Sequence, residues 1–260
     1  MANPRQPVYR ANMDDAPRPV AALARGLNDG EQIPFHMHRR GQLLHATVGV
    51  MRVETDDAAW IIPPARALWM PPRQGHGVAA RSRIEMRTVY IEESACAALP
   101  QRATLVEVTG LLRELILALL EEPVAYEENA RGGQVARLLL TELGRLQTRA
   151  HALPMPRDSR ALKAARALLD APGLNLGLDD LSERAGASRR TLARLFRAET
   201  GLGFAEWRTR LRALDGLARL GAGASVGAAS SAVGYASPSA FTAMVHREFG
   251  APPRRLSRRT

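Results

Sequence analysis

The sequence predicts two domains of different class: an N-terminal all-β barrel with flanking helices, and a C-terminal all-α domain built from a repeated helix pair. Short apolar runs separated by Gly, Pro and Asp fill residues 30–92, which is typical of strands and turns. Apolar residues at helical spacing dominate from residue 103 onward, and a C-terminal segment recurs 49 residues later. A chain of 260 residues has room for both domains.

The barrel is expected over residues 29–100. Four prolines and scattered arginines precede it, so we expect an irregular arm over residues 1–28. Trp60 and Trp69 are expected in the core. The apolar runs that predict strands are Leu43–Val53, Ala58–Ile62, Ala67–Met70 and Ile84–Ile91.

Residues 101–150 are predicted to form a helical packing segment. Apolar spacing indicates one amphipathic helix over residues 103–122 and a second from Gly132 to Gln147. Their apolar faces need a partner, either the flank of the barrel or a second chain, and we expect a homodimer. Two prolines give residues 151–158 the composition of a linker, which places the C-terminal domain at residues 159–260.

The segment Ser188–Gly201 carries the clearest helical pattern. At 100° per residue, three apolar side chains share one face and three arginines share the opposite face. The apolar residues are Leu192, Leu195 and Phe196, and the arginines are Arg190, Arg194 and Arg197. A shorter predicted helix upstream ends at Gly186, and Ser188 is placed to cap the second helix. Helix, tight turn and a helix with exposed arginines are typical of a helix-turn-helix motif.

The same pattern occurs a second time, after a long predicted helix from Phe204 to Leu220. The matching pairs are Ser188 with Ser237, Leu192 with Phe241, Leu195 with Met244, Phe196 with Val245, Glu199 with Glu248, and Gly201 with Gly250. In the second copy, Ser239, Ala243 and His246 stand where the first copy has arginines. The two copies therefore share the pattern of apolar residues but differ in the side chains on the opposite face.

Positive charge is concentrated in the half with the repeat. The chain has a formal net charge of +10, and from Asp158 onward 17 Lys/Arg face 9 Asp/Glu. Only Lys163 among those basic residues is a lysine, and arginine forms bidentate hydrogen bonds with phosphate and guanine. A general compositional preference for arginine is the alternative explanation. The charge favours double-stranded DNA as a partner.

Cysteine content and hydropathy indicate in which cellular compartment the protein is expected. The single cysteine, Cys96, excludes an internal disulfide and a Cys-rich zinc site. The N-terminal residues lack the apolar core of a signal peptide, and no stretch approaches the roughly 18 apolar residues of a membrane span. We expect a soluble, cytoplasmic protein.

A cluster of histidines lies within the predicted barrel. His36 and His38 are two residues apart on a predicted strand, so both imidazoles can reach one point, whereas His45 has the opposite parity. The relevant positions are Gly30, His36, His38, Gln42 and Gly49, followed by Pro71, Gly75 and His76. This set resembles the two motifs of the cupin family, a small β-barrel whose motifs supply three histidines and a carboxylate. Gln42 stands where that family usually has glutamate, and a neutral amide is a weaker ligand.

Three interpretations of His36, His38, Gln42 and His76 remain open. They hold a divalent metal such as zinc, iron, nickel or manganese, which suits three imidazoles. They form a metal-free polar patch in an effector pocket. They are hydrogen-bonded remnants of the fold.

The C-terminal segment resembles the AraC/XylS family of transcriptional regulators. The resemblance rests on residues 190–201 (RTLARLFRAETG) and on residues 234–241 (GYASPSAF) with 249–252 (FGAP). It implies two reading helices in successive major-groove segments, with Arg190 and Arg194 at base-reading positions. Further candidate DNA contacts are Arg189, Thr191, Arg197, Ser237, Ser239, Thr242 and His246. Ala243 departs from the family pattern, so the second helix is expected to contribute mainly phosphate positioning and shape.

These observations predict a transcriptional regulator that is controlled by a small-molecule or metal effector bound in the barrel. RNA polymerase is a further candidate partner. No catalytic residue is predicted. The alternative hypothesis is a metal-dependent cupin enzyme fused to a DNA-binding domain, against which stands Gln42 in place of a carboxylate.

Overall fold

The computed structural model describes residues 8–9, 13–145, 148–149 and 152–257. The chain divides into two compact units, Met1–Thr55 with Ile62–His151, and Asp56–Ile61 with Ala152–Thr260. Most of the strands belong to the first unit, and the second is mainly helical, so the predicted fold class is confirmed. None of the helices in the described ranges is both long and apolar enough to span a bilayer.

Two sheets form the framework of the first unit. Of the strands of the chain, β12 and most of β6 belong to the second unit. The strands in chain order are β1 (Val8–Tyr9), β2 (Val20–Leu27), β3 (Gln32–Met37), β4 (Gly41–Val48), β5 (Met51–Glu54), β6 (Ala58–Ile62), β7 (Arg66–Met70), β8 (His76–Ala80), β9 (Ile84–Ile91), β10 (Thr104–Glu107), β11 (Thr148–Arg149) and β12 (Leu153–Pro154). One sheet contains β1-β3-β8-β5, and the other follows the order β11-β10-β7-β4-β9-β2. Neighbours are antiparallel apart from β1, which runs parallel to β3.

Two helices, α1 (Gly110–Glu121) and α2 (Arg131–Gly144), cover the outer face of the larger sheet. Buried residues of both helices and of the sheet form one apolar cluster, which includes Leu43, Trp69, Val89, Leu112, Ile116 and Leu139. The apolar faces of the helices are therefore buried against the barrel flank, which is one of the two partners that the sequence left open.

The N-terminal segment is more ordered than its prolines suggest. The expectation of an irregular arm is wrong for Val20–Leu27, because this segment is β2 and pairs residue by residue with β9. Val20 and Ala21 are buried by that pairing, as is Leu27. The hydrogen-bond partner lies more than 60 residues away, and local composition does not show it.

The predicted single helix over residues 103–122 is also corrected. Thr104–Glu107 forms β10, in which Leu105 and Val106 lie opposite Leu68 and Ala67 of β7. The helix starts only after Thr109, whose hydroxyl accepts a hydrogen bond from the Leu112 backbone N at 3.1 Å. Apolar residues at positions 105, 108, 111 and 112 satisfy the helical spacing. The open edge of β7, however, pairs with residues 104–107 and makes them a strand.

The expected linker at residues 151–158 contains a strand in its described part. In β12, Leu153 lies opposite Ala59 and Pro154 opposite Ala58 of β6, all within the second unit. Leu153 is fully buried, and the backbone N of Met155 donates to Asp57 O at 2.8 Å. A proline is tolerated in β12 because this strand lies at the edge of its sheet, where a missing N–H breaks no pairing on the open side.

The described part of the second unit contains both predicted helix-turn-helix copies and the long predicted helix between them, with a further helix before them and a short one at the C-terminal end. They are α3 (Ser159–Asp170), α4 (Leu178–Ala185), α5 (Arg189–Thr200), α6 (Phe204–Gly221), α7 (Val226–Ala232), α8 (Pro238–Phe249) and α9 (Pro253–Ser257). Ser188, Ser225 and Ser237 each cap the following helix through the side-chain oxygen. Gly186, Gly201 and Gly250 end α4, α5 and α8 in the left-handed conformation.

Candidate functional site

The first unit encloses a cavity of about 70 Å³ between its two sheets. Its walls come from β2, β3, β4, β8 and β9, and strand alternation directs every second side chain of these strands inward. The lining residues are Met13, Leu23, Arg25, Ile33, His36, His38, Gln42, Leu44, His76, Val78, Met86, Thr88 and Tyr90. All four predicted ligand residues therefore reach one cavity.

The three histidines form a compact group. One ring nitrogen of each lies within 4.8 Å of one ring nitrogen of the other two, although His76 is far from the pair in sequence. Their relative exposures are 4% for His36, 5% for His38 and 1% for His76. His36 and His76 are directly opposite each other in the β3–β8 register, which explains why the two sequence motifs meet.

Backbone carbonyls hold two of these rings in place. Nδ1 of His36 lies 2.7 Å from Pro34 O, and Nδ1 of His76 lies 3.1 Å from Gln74 O. Because a carbonyl only accepts hydrogen bonds, Nδ1 donates in both rings and the acceptor lone pair is on Nε2. Nε2 of His76 and Oε1 of Gln42 are buried and have no hydrogen-bond partner among the described residues. A buried lone pair without a donor fits a metal ion or a ligand that donates.

Burial keeps His76 neutral. Loss of hydration lowers its pKa from 6.5 to about 3, and the neighbouring His36 adds to the effect. Only the neutral imidazole binds a metal, so His76 is in the ligating form throughout the physiological pH range.

Asp14 and Arg40 are site residues that sequence reasoning missed. Asp14 Oδ2 lies 3.7 Å from His38 Nδ1, and Asp14 Oδ1 accepts a hydrogen bond from the Arg40 backbone N at 3.1 Å. The Arg40 guanidinium, only 7% exposed as a residue, donates to the carbonyl oxygens of Asp14, Ala16, Arg18 and Pro19. These bonds hold the segment at residues 13–19 against the barrel, and they span more than 20 residues, so no local pattern reveals them.

Three other aromatic or histidine residues take no part in the cavity wall. Trp60 and Trp69 are buried at 5% and 2% exposure, as predicted. His45 Nε2 bonds to Pro64 O at 2.9 Å, outside the cavity lining. The opposite parity of His45 on β4 thus places it away from the other histidines.

In the second unit, the two helix-turn-helix copies bury equivalent residues. Leu192, Leu195 and Phe196 of α5 are at most 6% exposed. Their counterparts in α8 are Phe241, Met244 and Val245, at most 2% exposed. The opposite faces of both helices therefore point away from the core.

The arginines of α5 differ in their partners. Arg189 pairs with Asp179 at 2.8 Å, and Arg197 pairs with Glu206 at 3.0 Å. Arg190 and Arg194 are exposed and have no ion pair or side-chain hydrogen bond among the described residues. Their guanidinium groups are therefore available for an external partner.

The exposed face of α8 is polar but less charged. Ser239, Thr242, Ala243 and His246 line a shallow, open depression. Ser237 is committed to the helix cap, because its Oγ accepts from the Ala240 backbone N at 3.2 Å. In α5, Thr191 Oγ1 lies 2.9 Å from the capping oxygen of Ser188.

Comparison with known proteins identifies the family. Residues 22–198 match the model of the AraC-like ligand binding domain, and residues 181–259 match that of a helix-turn-helix domain. A ligand-binding domain followed by a helix-turn-helix domain defines a transcriptional regulator. The chain belongs to the AraC family of such regulators.

The chain is also similar to individual proteins. The chain is 29% identical over 222 residues to the HTH-type transcriptional regulator NimR of Escherichia coli K12, which covers 85% of the chain and 81% of NimR. RipA of Corynebacterium glutamicum, also an HTH-type regulator, is 36% identical over 101 residues, or 39% of the chain and 30% of RipA. The solved structure of ToxT from Vibrio cholerae matches with a TM-score of 0.37 and 11% identity, over 92% of the chain and 98% of ToxT.

Proposed function

We propose that this AraC-family regulator is a cytoplasmic homodimer whose first unit binds an effector at a divalent metal ion and whose second unit reads a specific DNA sequence. The convergence of three buried histidines and Gln42 on one cavity carries the effector part of the proposal. Neutral imidazole and amide oxygen together suit zinc, iron, nickel or manganese. A metal there would supply Lewis acidity to a bound ligand.

The state of the side chains speaks against the interpretation that these residues are hydrogen-bonded remnants of the fold. A polar patch that only supports the fold would have its buried polar atoms satisfied by one another. Here His76 Nε2 and Gln42 Oε1 lack partners within the described chain. The carbonyls of Pro34 and Gln74 also orient two of the rings, as outer hydrogen bonds commonly do for metal-ligating histidines.

Metal content tests the proposal directly. The full-length protein, purified without a metal-affinity step, is expected to contain about one divalent ion per chain by elemental analysis. His76→Ala is expected to lose this ion. His45→Gln is the matched control, because His45 is a buried histidine outside the cavity, and it is expected to keep it. Wild-type protein that takes up no metal would exclude the metal site.

On the DNA side, we propose that Arg190 and Arg194 read base edges. Their lack of ion-pair partners among the described residues supports this role. Arg189, Thr191 and Arg197 are assigned to the DNA backbone. In the second copy, the residues assigned to phosphate positioning and shape are Ser237, Ser239, Thr242 and His246. RNA polymerase remains a proposed further partner.

A metal-dependent enzyme with the same cavity is the competing proposal. General acid–base chemistry usually needs a carboxylate or a titrating histidine beside the substrate. The described lining of the cavity includes no Asp or Glu, and His76 is held neutral by burial. These features favour ligand binding over catalysis.

A further inference from the structure

The histidine cavity contains no negative charge of its own. Among its described lining residues, Arg25 is the one formally charged side chain, and it is a cation. The carboxylate of Asp14 is not part of the lining, since one of its oxygens is bonded to the Arg40 backbone and the other lies near His38 Nδ1. A ligand in the cavity therefore meets neutral and cationic groups.

Gln42 determines the charge balance once a divalent ion is bound. Histidine coordinates metals as the neutral imidazole, and an amide is neutral as well, so the four donors bring no negative charge to the ion. The buried carboxylate of Asp14 is outside the cavity lining, on the Nδ1 side of His38. The remaining walls are largely apolar, and burying an unbalanced charge there is costly. A glutamate at position 42 would supply one negative charge. Gln42 leaves that charge to be supplied by a ligand.

Arg25 is placed to meet the same ligand. On β2 it alternates with Leu23 on the cavity side, and it lies opposite Met86 of β9. Arg25 is exposed at the cavity wall and has no ion-pair partner in the described chain. A guanidinium without an internal partner favours carboxylates, with which it forms two parallel hydrogen bonds.

Size and polarity narrow the ligand further. A volume of about 70 Å³ limits the ligand to few heavy atoms. Much of the remaining lining is aliphatic or thioether in character, namely Met13, Leu23, Ile33, Leu44, Val78 and Met86. An inorganic anion would leave these surfaces unused, whereas a short hydrocarbon chain would bury them.

We propose that the effector is a small organic monocarboxylate, selected by Arg25 and by the neutral Gln42, with its short apolar body against the methionine and aliphatic side chains. This inference rests on the proposed metal site. The two are tested separately, because metal content and ligand selectivity are different measurements.

The probe is butyrate, with butyramide and butylamine as neutral and cationic isosteres. Calorimetric titration of the full-length, zinc-loaded protein is expected to show butyrate binding at least about tenfold more tightly than butyramide, because charge-assisted hydrogen bonds are stronger than neutral ones. Butylamine is expected not to bind. Formate is expected to bind more weakly than butyrate, since it lacks the apolar body.

Two substitutions address the selecting residues. Arg25→Gln is expected to weaken butyrate binding about tenfold while zinc content stays unchanged. Gln42→Glu places a stronger ligand in the proposed zinc site, so this variant is expected to hold zinc more tightly and to bind butyrate about tenfold more weakly. Arg83→Gln is the matched control, because the Arg83 side chain is 77% exposed and lies outside the cavity lining. Arg25 is also exposed, so its replacement tests the inference even if Gln42→Glu does not fold.

The outcomes separate the two proposals. Absence of zinc binding overturns both the metal site and the inference built on it. Zinc-loaded protein that binds butyramide as tightly as butyrate overturns the inference alone. Unchanged butyrate affinity in both Arg25→Gln and Gln42→Glu also overturns it.

Discussion

At the scale of single residues, ion pairing divides the arginines of α5 into two groups. Arg189 and Arg197 each have a carboxylate partner, whereas Arg190 and Arg194 have none in the described structure. A paired arginine must give up its partner to contact a base, while an unpaired one pays no such cost. This difference supports the division between backbone contacts and base contacts.

Replacement of Arg194 by alanine tests the base-reading role. Loss of a bidentate contact to guanine is expected to reduce the ratio of specific to nonspecific DNA affinity by about 1–3 kcal/mol at fixed salt. Arg197→Ala is the control and is expected to weaken binding to all sequences similarly, because a phosphate contact carries no sequence information. Competition binding with operator and random DNA measures both. An unchanged ratio in Arg194→Ala would remove it as a base reader.

Asp14 offers a second test at the residue scale. Its carboxylate lies 3.7 Å from Nδ1 of His38, which is too far for a hydrogen bond but close enough for its charge to act on the ring. Asp14→Asn removes that charge and is expected to lower zinc affinity, by up to the roughly 10–100-fold that loss of an outer partner of a metal-ligating histidine causes. Competition with a chromogenic chelator measures the affinity.

The adjacent residue supplies the control for this substitution. The Asp15 side chain is 69% exposed and pairs with Arg39 at the surface, so Asp15→Asn is expected to leave zinc affinity unchanged. Equal affinities in the two variants would show that Asp14 does not position His38.

At the scale of secondary-structure elements, the sequence and the structure lead to opposite expectations for the effect of Gly216 in α6 on stability. From the sequence, a glycine inside a helix costs about 1 kcal/mol relative to alanine. In the structure, a Cβ at this position would lie 2.4 Å from Cε2 of the Phe241 ring. Gly216 therefore allows α8 to approach α6 closely.

Gly216→Ala is accordingly expected to destabilise the second unit by about 1–3 kcal/mol, as overpacked core substitutions do, despite the better helix propensity of alanine. Gly227→Ala in α7 is the matched control, because its added Cβ would meet only the Ser225 hydroxyl at 3.9 Å. That variant is expected to be neutral or stabilising by up to about 1 kcal/mol. Urea denaturation monitored by circular dichroism distinguishes the two; a stabilised Gly216→Ala variant contradicts the packing argument.

The boundary between β10 and α1 shows a limit of predicting strands and helices from the sequence alone. The apolar spacing over residues 103–122 is compatible with a helix throughout, yet the first four residues after Ala103 pair with β7. Short apolar runs do not distinguish strand from helix, and the available sheet edge decides between them. The Thr109 cap is visible in the sequence, but its importance follows only from the strand before it.

At the scale of the whole molecule, α1 and α2 bear on the proposed homodimer. Although these helices cover the barrel, Leu111 and Leu138 remain 49% and 44% exposed. Exposed leucines on both helices suit a contact with a second chain. We expect Leu138→Glu to shift the protein from dimer to monomer in light scattering coupled to size-exclusion chromatography.

Leu174→Glu is the control for this substitution. Leu174 is also 49% exposed, but it belongs to the second unit and not to α1 or α2, so the dimer is expected to persist. A wild-type protein that is monomeric at the same concentration would exclude the proposed interface.

The sequence by itself determined the features that depend on residues close together in the chain. Serine caps, left-handed glycines and the 3.6-residue period are local properties, and they predicted α4, α5 and α8. The strand parity of His36 and His38 was equally local. Tertiary structure alone decided the features that need partners far along the chain, namely the β2–β9 pairing, the β10 strand, and the contacts of Asp14 and Arg40 at the histidine cavity. The physical reason is that a strand edge or a buried charge is satisfied by whichever group the fold brings to it, and local composition does not name that group.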